Sequence, residues 1–305
     1  MDVSVLVPTY NRPGALVKAV KSTLDQSRQP EEVVVVDDAS DRSYEEARSK
    51  LRSLSEETDT VVRYHRMDTN GGACRARNEA ARRAEGGILM FLDDDDVWEP
   101  HKIAGQLSRF ADQPNLGLVY SGRKVIDHQG NMLYKVYPQA EGNLQREILQ
   151  RNLIGTTSSV AIRSVVFEKV GEFDESMPAL QDYDLWIRVA CETPIGYDPK
   201  CTVKWQIHSE SDDQMGGNPE IYQQAFSSIR KKYKSKFKRL DLLEKRLFDS
   251  YKYTSLATKY GRVSYKVKLF YALKSLMSYP TISGASKILP MPIWYLARRV
   301  YNRLV

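Results

Sequence analysis

Three cysteines in 305 residues, Cys74, Cys191 and Cys201, are too few and too scattered for a disulfide framework, and they show no C-x-x-C spacing that would suggest zinc. They cannot all pair with one another, which predicts reduced thiols and a cytosolic setting. Long apolar runs are missing as well. The most apolar C-terminal stretches are broken by Lys274, Lys287, Pro290, Pro292 and Arg298, so no membrane-spanning helix is expected. Met1-Asp2-Val3-Ser4 lacks a basic region followed by an apolar stretch, so no secretory signal is expected here. Glycine is absent from the turn after the first apolar run, where Pro8-Thr9-Tyr10-Asn11-Arg12-Pro13 stands. Without G-x-G-x-x-G there, an NAD-dependent dehydrogenase is excluded. A sugar-phosphate nucleotidyltransferase, which should open on a glycine-rich loop, is disfavoured.

Acid is scarce in one part of the chain only. Residues 216–305 carry 19 Lys/Arg against 4 Asp/Glu, whereas residues 1–215 carry 26 against 35, giving net charges of +15 and −9. The two parts are therefore expected to face different partners. A chain of this length holds one substantial core and an appendage. We expect a catalytic domain over 1–215, divided into halves at 1–110 and 111–215, and a basic helical region over 216–305.

Val3–Val7 and Glu32–Val36 are β-branched apolar runs of the kind buried on both faces of a parallel sheet. Between them, Leu16, Ala19, Val20, Thr23 and Leu24 repeat at helical spacing behind Pro13, which suits a first helical turn. Tyr44, Ala47, Leu51 and Leu54 predict a second helix, Thr60 to Arg66 a third strand, and Ala76, Ala80, Ala81 and Ala84 a third helix stopping at Gly86-Gly87. Ile88–Leu92 is then a fourth strand, followed by a helix bearing Ile103, Leu107 and Phe110. Strands alternating with helices predict an open, largely parallel α/β sheet flanked by helices. Its ligand site should lie beyond the carboxyl ends of the strands.

The unusual residues cluster at those ends. The fourth strand delivers Asp93-Asp94-Asp95-Asp96, adjacent carboxylates that raise one another's proton affinity unless a cation is near. A hard divalent ion, Mn²⁺ or Mg²⁺, resolves that repulsion and bridges to substrate phosphates. The bland alternative is a solvated acidic turn, with Asp96 capping the next helix. The second strand ends in Asp37-Asp38-Ala39-Ser40, and the first supplies an aromatic face at Tyr10 and a guanidinium at Arg12. Asn70-Gly71-Gly72, followed by Arg75, Arg77 and Asn78, opens a helix whose N-terminus suits an anion. A simple helix cap explains the glycine turn equally well.

In their order along the chain, these pieces resemble the family 2 inverting glycosyltransferases of the GT-A fold, over roughly residues 1–215. The likeness rests on Ser4 to Arg12, Val36 to Ser40, Asn70-Gly71-Gly72 through Arg77-Asn78, Phe91 to Asp96 with Pro100, Gly171 to Glu175, and Gln181 to Trp186. It implies a nucleotide-diphospho-sugar donor, UDP-linked by preference, and a hydroxyl acceptor. Pro8, Tyr10, Arg12, Asp38, Arg77, Asp93 and Asp94 would line the nucleotide-sugar site, with Tyr10 stacked on the base and Asp38 on the base or its ribose. Asp95 would hold the metal, with Asp93 and His208 as further candidate ligands. Asp182 would be the catalytic base, in a Gln181-Asp182 pair where the family carries Glu-Asp, while Asp184 reads as a helix-start residue. No Q-x-x-R-W motif occurs, which favours transfer of a single sugar over processive synthesis.

Arg230 to Arg239 holds seven cations in ten residues, interleaved with Tyr233 and Phe237. Val267, Phe270, Leu273 and Met277 form one helical stripe; Ile293, Leu296, Ala297, Val300 and Leu304 form another, beside Arg298, Arg299 and Arg303. Such helices lie in membrane interfaces, where Lys and Arg near an anionic leaflet contribute roughly 1 kcal/mol each. They predict peripheral attachment to the cytoplasmic face of the cell membrane, where a lipid-linked glycan would present its hydroxyl. The alternative is that both stripes pack on the catalytic domain. Nucleic acid is not an expected partner, since the catalytic part is acidic and no recognition module appears. A non-catalytic membrane-associated scaffold is the competing class, and it leaves the four aspartates and Asp182 unexplained.

Overall fold

A computed structural model describes residues 1–127, 129–207, 218–261 and 263–288. In chain order the elements are β1 (Val3–Thr9), α1 (Pro13–Leu24), β2 (Glu32–Asp37), α2 (Glu45–Glu56), β3 (Val61–Arg66), α3 (Gly72–Arg83), β4 (Ile88–Phe91), β5 (Val97–Trp98), α4 (Lys102–Asp112), β6 (Leu118–Ile126) and β7 (Met132–Val136). A 3₁₀ turn (Thr157–Ser159) precedes β8 (Val160–Arg163), α5 (Ser164–Lys169), α6 (Gln181–Glu192) and β9 (Ile195–Gln206). The helices α7 (Pro219–Lys232), α8 (Lys234–Lys238), α9 (Leu242–Tyr260), α10 (Tyr265–Ser278) and α11 (Ile282–Ser286) follow.

The strands form one mixed sheet in the order β3-β2-β1-β4-β8-β6-β9-β5, with β7 against β6. Its first four strands are parallel, as the alternation of strands and helices predicts, with Thr9 opposite Asp37 and Leu6 opposite Phe91. Beyond β4 the sheet becomes mixed, because β8 enters antiparallel to both β4 and β6. β1, β2 and β4 are buried along their whole lengths, and their apolar runs account for that. β3 alternates between exposed and half-buried residues because it lies at the sheet edge. α1 turns Leu16, Ala19, Val20, Thr23 and Leu24 inward, the stripe that its spacing predicts. α3 ends at Arg83, ahead of Gly86-Gly87. Gly86 has a different reason to lack a side chain: a Cβ there would meet the Ser4 Oγ at 2.6 Å and the Ser4 backbone nitrogen at 2.7 Å.

The chain divides into two compact units. The first comprises 1–144, 154–175 and 188–206 and contains the sheet; the second comprises 145–153, 176–187 and 207–305. An aromatic cluster centres the second unit. Phe248 meets Phe226 and Phe237 at ring separations of 6.0 and 4.7 Å, and Tyr251 meets Phe226 and Tyr183 at 5.8 and 5.9 Å. The aromatic residues threaded through the basic run are thus core, since Tyr233 and Phe237 are both buried. Some of the cations have acidic partners, with Arg230 3.0 Å from Asp249 and Lys232 2.9 Å from the buried Asp184. α9 opens on a reciprocal capping box between Asp241 and Glu244. Among the described residues no helix is long and apolar enough to cross a membrane. The stripe from Ile293 to Leu304 lies outside the described residues.

Candidate active site

The loops after β1 and β2 are built as one piece. Asn11 and Ala39 both adopt the left-handed region, at φ 57° and 56°, which costs a non-glycine residue about 1 kcal/mol or more. Asn11 offsets part of this by accepting at its Oδ1 from the backbone of Asp41 (2.9 Å) and Arg42 (3.1 Å). Asp37, fully buried, accepts from Ser40 through its backbone N–H (3.0 Å) and Oγ (2.5 Å), and from the Tyr64 hydroxyl (2.6 Å). Tyr10 stands exposed above this frame, its hydroxyl 3.4 Å from Asp41. Pro8 is buried within β1, opposite Val36.

Tyr44, which the sequence marks only as a helix residue, joins this frame. Its hydroxyl lies 2.8 Å from the Thr9 Oγ1 and accepts the Arg12 backbone N–H at 2.9 Å. Tyr44→Phe should therefore lower stability by about 1–3 kcal/mol, because a part-buried donor loses its acceptor. Urea denaturation would measure it.

Asp38 accepts from the backbone N–H groups of Gly71 and Gly72, one on each carboxylate oxygen, at 2.7 Å. The Asn70 side chain donates to its carbonyl at 3.0 Å. Asp38 thus holds the turn opening α3, where Gly72 has φ +82°. One helical turn later Arg77 reaches Asp93 at 2.5 Å, with its guanidinium 5.6 Å from the Phe173 ring centre. Asn78 fixes that ring's backbone by exchanging hydrogen bonds of 3.0 Å with Phe173.

The acidic tip alternates. Asp93 and Asp95 are half-buried, whereas Asp94 and Asp96 are buried. Asp93 accepts from Arg77 and from the Thr157 Oγ1 (3.1 Å), while its backbone N–H donates to the Ser158 Oγ (3.1 Å). Arg12 spans the next two, at 3.2 Å from Asp94 and 2.7 Å from Asp95, and the Thr9 Oγ1 donates to Asp94 at 2.7 Å. Burial pushes the Asp94 carboxyl up to about 6; the Thr9 hydrogen bond opposes this, Asp95 adds to it, and Arg12 opposes it. Asp96 is pushed well above the ordinary carboxylate value by burial, then by Asp95 and Asp93. It does not cap α4, which begins at Lys102; it is enclosed before β5.

The first unit thus gathers Thr9, Arg12, Arg77 and Asp93 to Asp95 at the carboxyl ends of parallel strands. Among the described residues no group of three or more His, Cys, Asp or Glu side chains could hold a metal ion unaided. Two half-exposed carboxylates separated by a buried one fit an ion that takes one or two protein oxygens and draws its other ligands from phosphate and water. That is the habit of Mg²⁺, and hard oxygen donors suit Mn²⁺ equally.

In the second unit, Asp182 sits in the first turn of α6 and accepts from the Asn152 Nδ2 at 3.2 Å. Leu180, two residues before it, has φ 59°, so the helix entry is strained. Tyr251 belongs to the same neighbourhood; burial, then the charge of Asp182, push its hydroxyl pKa up. Asp184, also in the first turn, is fully buried and accepts from the Tyr233 hydroxyl at 2.7 Å in addition to its pairing with Lys232. His208 lies outside the described residues.

The family model described as Glycosyl transferase family 2 matches residues 4–171, more than half of the chain. The chain belongs to this family. Among its relatives, an uncharacterized glycosyltransferase of Rickettsia conorii is 31% identical over 222 residues, covering 71% of this chain and 36% of that protein. The chain thus spans about a third of the length of the first Rickettsia relatives. The putative colanic acid biosynthesis glycosyl transferase WcaA of Escherichia coli is 29% identical over 244 residues, covering 78% of this chain and 83% of WcaA. Two solved structures share the GT-A fold at 18% identity. TarS 1–349 of Staphylococcus aureus, in complex with UDP-GlcNAc, has a TM-score of 0.62 over 99% of this chain and 92% of its own. The mannosyltransferase PcManGT of Pyrobaculum calidifontis, in complex with GDP-Man and Mn²⁺, has a TM-score of 0.57 over 99% and 86%.

Proposed function

We propose that this family 2 protein is an inverting, metal-dependent glycosyltransferase moving a single sugar from a nucleotide-diphosphate donor to a hydroxyl acceptor in surface-polysaccharide or lipid-linked glycan assembly. The observation that carries the reading is the junction of Arg12 and Arg77 with Asp93, Asp94 and Asp95 beyond the parallel strands. The names of the relatives and the nucleotide sugars bound by TarS and PcManGT support it. UDP is the preferred nucleotide. In this reading residues 1–110 hold the donor, 111–215 the acceptor, and 216–305 dock the protein on the cytoplasmic face of the membrane.

Tyr10 offers an exposed ring for the base. Pro8 sets the loop that carries that ring. Asp38 acts on the donor through the Asn70–Gly72 turn that it holds. Arg12 and Arg77 exchange their carboxylate partners for the diphosphate as the donor enters. A Mn²⁺ or Mg²⁺ ion held by Asp95, with Asp93 and His208 as further ligands, would neutralise charge on the leaving diphosphate. Asp182 takes the proton of the acceptor hydroxyl as its oxygen bonds to the anomeric carbon and the bond to the diphosphate breaks. A single displacement of this kind inverts the anomeric configuration.

Thermal unfolding with UDP- and GDP-sugars, in Mn²⁺, in Mg²⁺ or in EDTA, tests the donor site. Wild type should be stabilised by one nucleotide class when metal is present, by about 3 kcal/mol at a hundredfold excess over Kd. Asp95→Ala should lose that shift while still folding. If no nucleotide sugar moves wild type under any condition, the donor assignment fails.

A further inference from the structure

α10 leaves a face of large apolar side chains outside its packing against α9. Toward α9 it turns Lys268, 5% exposed, Ala272 and Ser275, both 0% exposed, and the half-buried Tyr271, whose ring stacks on Tyr253 and Tyr260 of α9 at 6.1 and 5.1 Å. There the Ser275 Oγ lies 2.9 Å from the Ser250 Oγ and 2.8 Å from the Thr254 Oγ1. Its opposite face carries Phe270, Leu273 and Met277 at helical spacing, 51, 47 and 79% exposed. A helix that leaves Phe270, Leu273 and Met277 outside its packing on α9 needs a cover other than water for that face. Val263, Tyr265 and Ile282 are further exposed apolar residues near the two ends of the helix.

Charge narrows the choice of cover. From Ser250 to Val305 the sequence contains no Asp or Glu and ten Lys or Arg. On α10 itself Lys266 and Lys274 are exposed beside the apolar face, and the Lys274 Nζ sits 4.4 Å from the Phe270 ring centre. Arg246 of α9 donates to the carbonyls of Ser278 (2.5 Å) and Met277 (3.2 Å). That closes the helix end and keeps its last turn formed at a lipid boundary.

We propose that the Phe270–Leu273–Met277 face of α10 inserts into an anionic lipid leaflet as an in-plane helix, with Lys266 and Lys274 at the headgroups. This rests on the membrane docking of residues 216–305 in the proposed function and names the surface that performs it. A planar, acidic partner matches an apolar face flanked by Lys266 and Lys274 in a stretch of sequence without acid.

The test is co-sedimentation of the full-length chain with phosphatidylcholine vesicles, with and without phosphatidylserine. Wild type should bind the anionic vesicles and bind the neutral ones weakly. Phe270→Ser/Leu273→Ser/Met277→Ser should weaken that binding roughly 10- to 100-fold. Lys266→Gln/Lys274→Gln should weaken it roughly 10- to 30-fold at low salt. Val165→Ser, at an exposed apolar residue of the first unit, should leave it unchanged. All three substitute exposed side chains, so unchanged thermal unfolding certifies the fold. Equal vesicle binding by the triple variant and wild type would overturn the α10 face while leaving the membrane reading intact. No binding by wild type would overturn the membrane reading itself. A dimeric wild type that the triple variant renders monomeric, with vesicle binding unaltered, would make the face a self-association surface instead.

Discussion

Asp182→Asn is expected to lower kcat by about 10²- to 10⁴-fold, the usual contribution of a positioned general base. Donor binding, read as the metal-dependent thermal shift, should not change, because in the proposed reaction Asp182 acts on the acceptor hydroxyl and not on the donor. Asparagine keeps the shape of the side chain and an oxygen able to accept from the Asn152 Nδ2, which lies 3.2 Å from the carboxylate. Packing should therefore survive, and circular dichroism would confirm it. The split between kcat and donor binding is the informative result. Asp95→Ala should remove binding, whereas Asp182→Asn should remove turnover alone. Full turnover in Asp182→Asn would dismiss the assignment of the base.

The second large effect is a gain in stability. The Asp94 carboxyl is pushed up to about 6 from an ordinary value of 3.8, chiefly by burial. A group whose folded-state pKa is raised contributes stability that is fully present below its unfolded value and is lost as pH rises through the folded one. At neutral pH the folded protein therefore carries an ionised, buried carboxylate at a cost of about 3 kcal/mol. Asp94→Asn should remove that cost. The variant's advantage over wild type in urea should grow from about pH 4 to about pH 6 and level off above about pH 7. Asparagine can still accept from the Thr9 Oγ1, and Arg12 retains Asp95. A variant no more stable than wild type at pH 8 would show that Arg12 and Thr9 already neutralise the burial.

The parallel half of the sheet was legible because its strands are buried on both faces, which demands the unbroken apolar runs at Val3, Glu32 and Ile88. α1 and the acidic tip were legible for related reasons: one has a 3.6-residue period behind a proline, and the other concentrates charge where an apolar strand ends. The second half of the sheet carries no such signal. β8 is four residues long, and its antiparallel arrival beside β4 depends on a partner more than 70 positions away in sequence. Asp38 stood out in the sequence as a carboxylate at a strand end, but its engagement with Gly71 and Gly72 depends on a turn that only the folded sheet brings near. Tyr44, Thr157 and Ser158 were missed because each bonds at the site through a hydroxyl, and a hydroxyl leaves no periodic mark. The Thr-Thr-Ser-Ser run at 156–159 was the available hint. In the basic run the charge was plain, whereas the burial of Tyr233 and Phe237 was not.

The second unit is assembled from three separate stretches of sequence, and that constrains how such a chain can be inherited. Residues 145–153 and 176–187 fold together with residues 207–305. Tyr183 meets Tyr251 edge to face, and the buried Asp184 meets Lys232, 48 positions further on. The Arg146 guanidinium reaches Glu244 within the capping box of α9. Exchanging the C-terminal region between relatives by a single crossover near residue 216 would therefore replace most of the second unit and leave 145–153 and 176–187 without the partners they fold with. Lineages should accept such exchanges only where positions 146, 183 and 184 change together with their distant partners, so the tail should descend with the rest of the chain instead of circulating as a separate module.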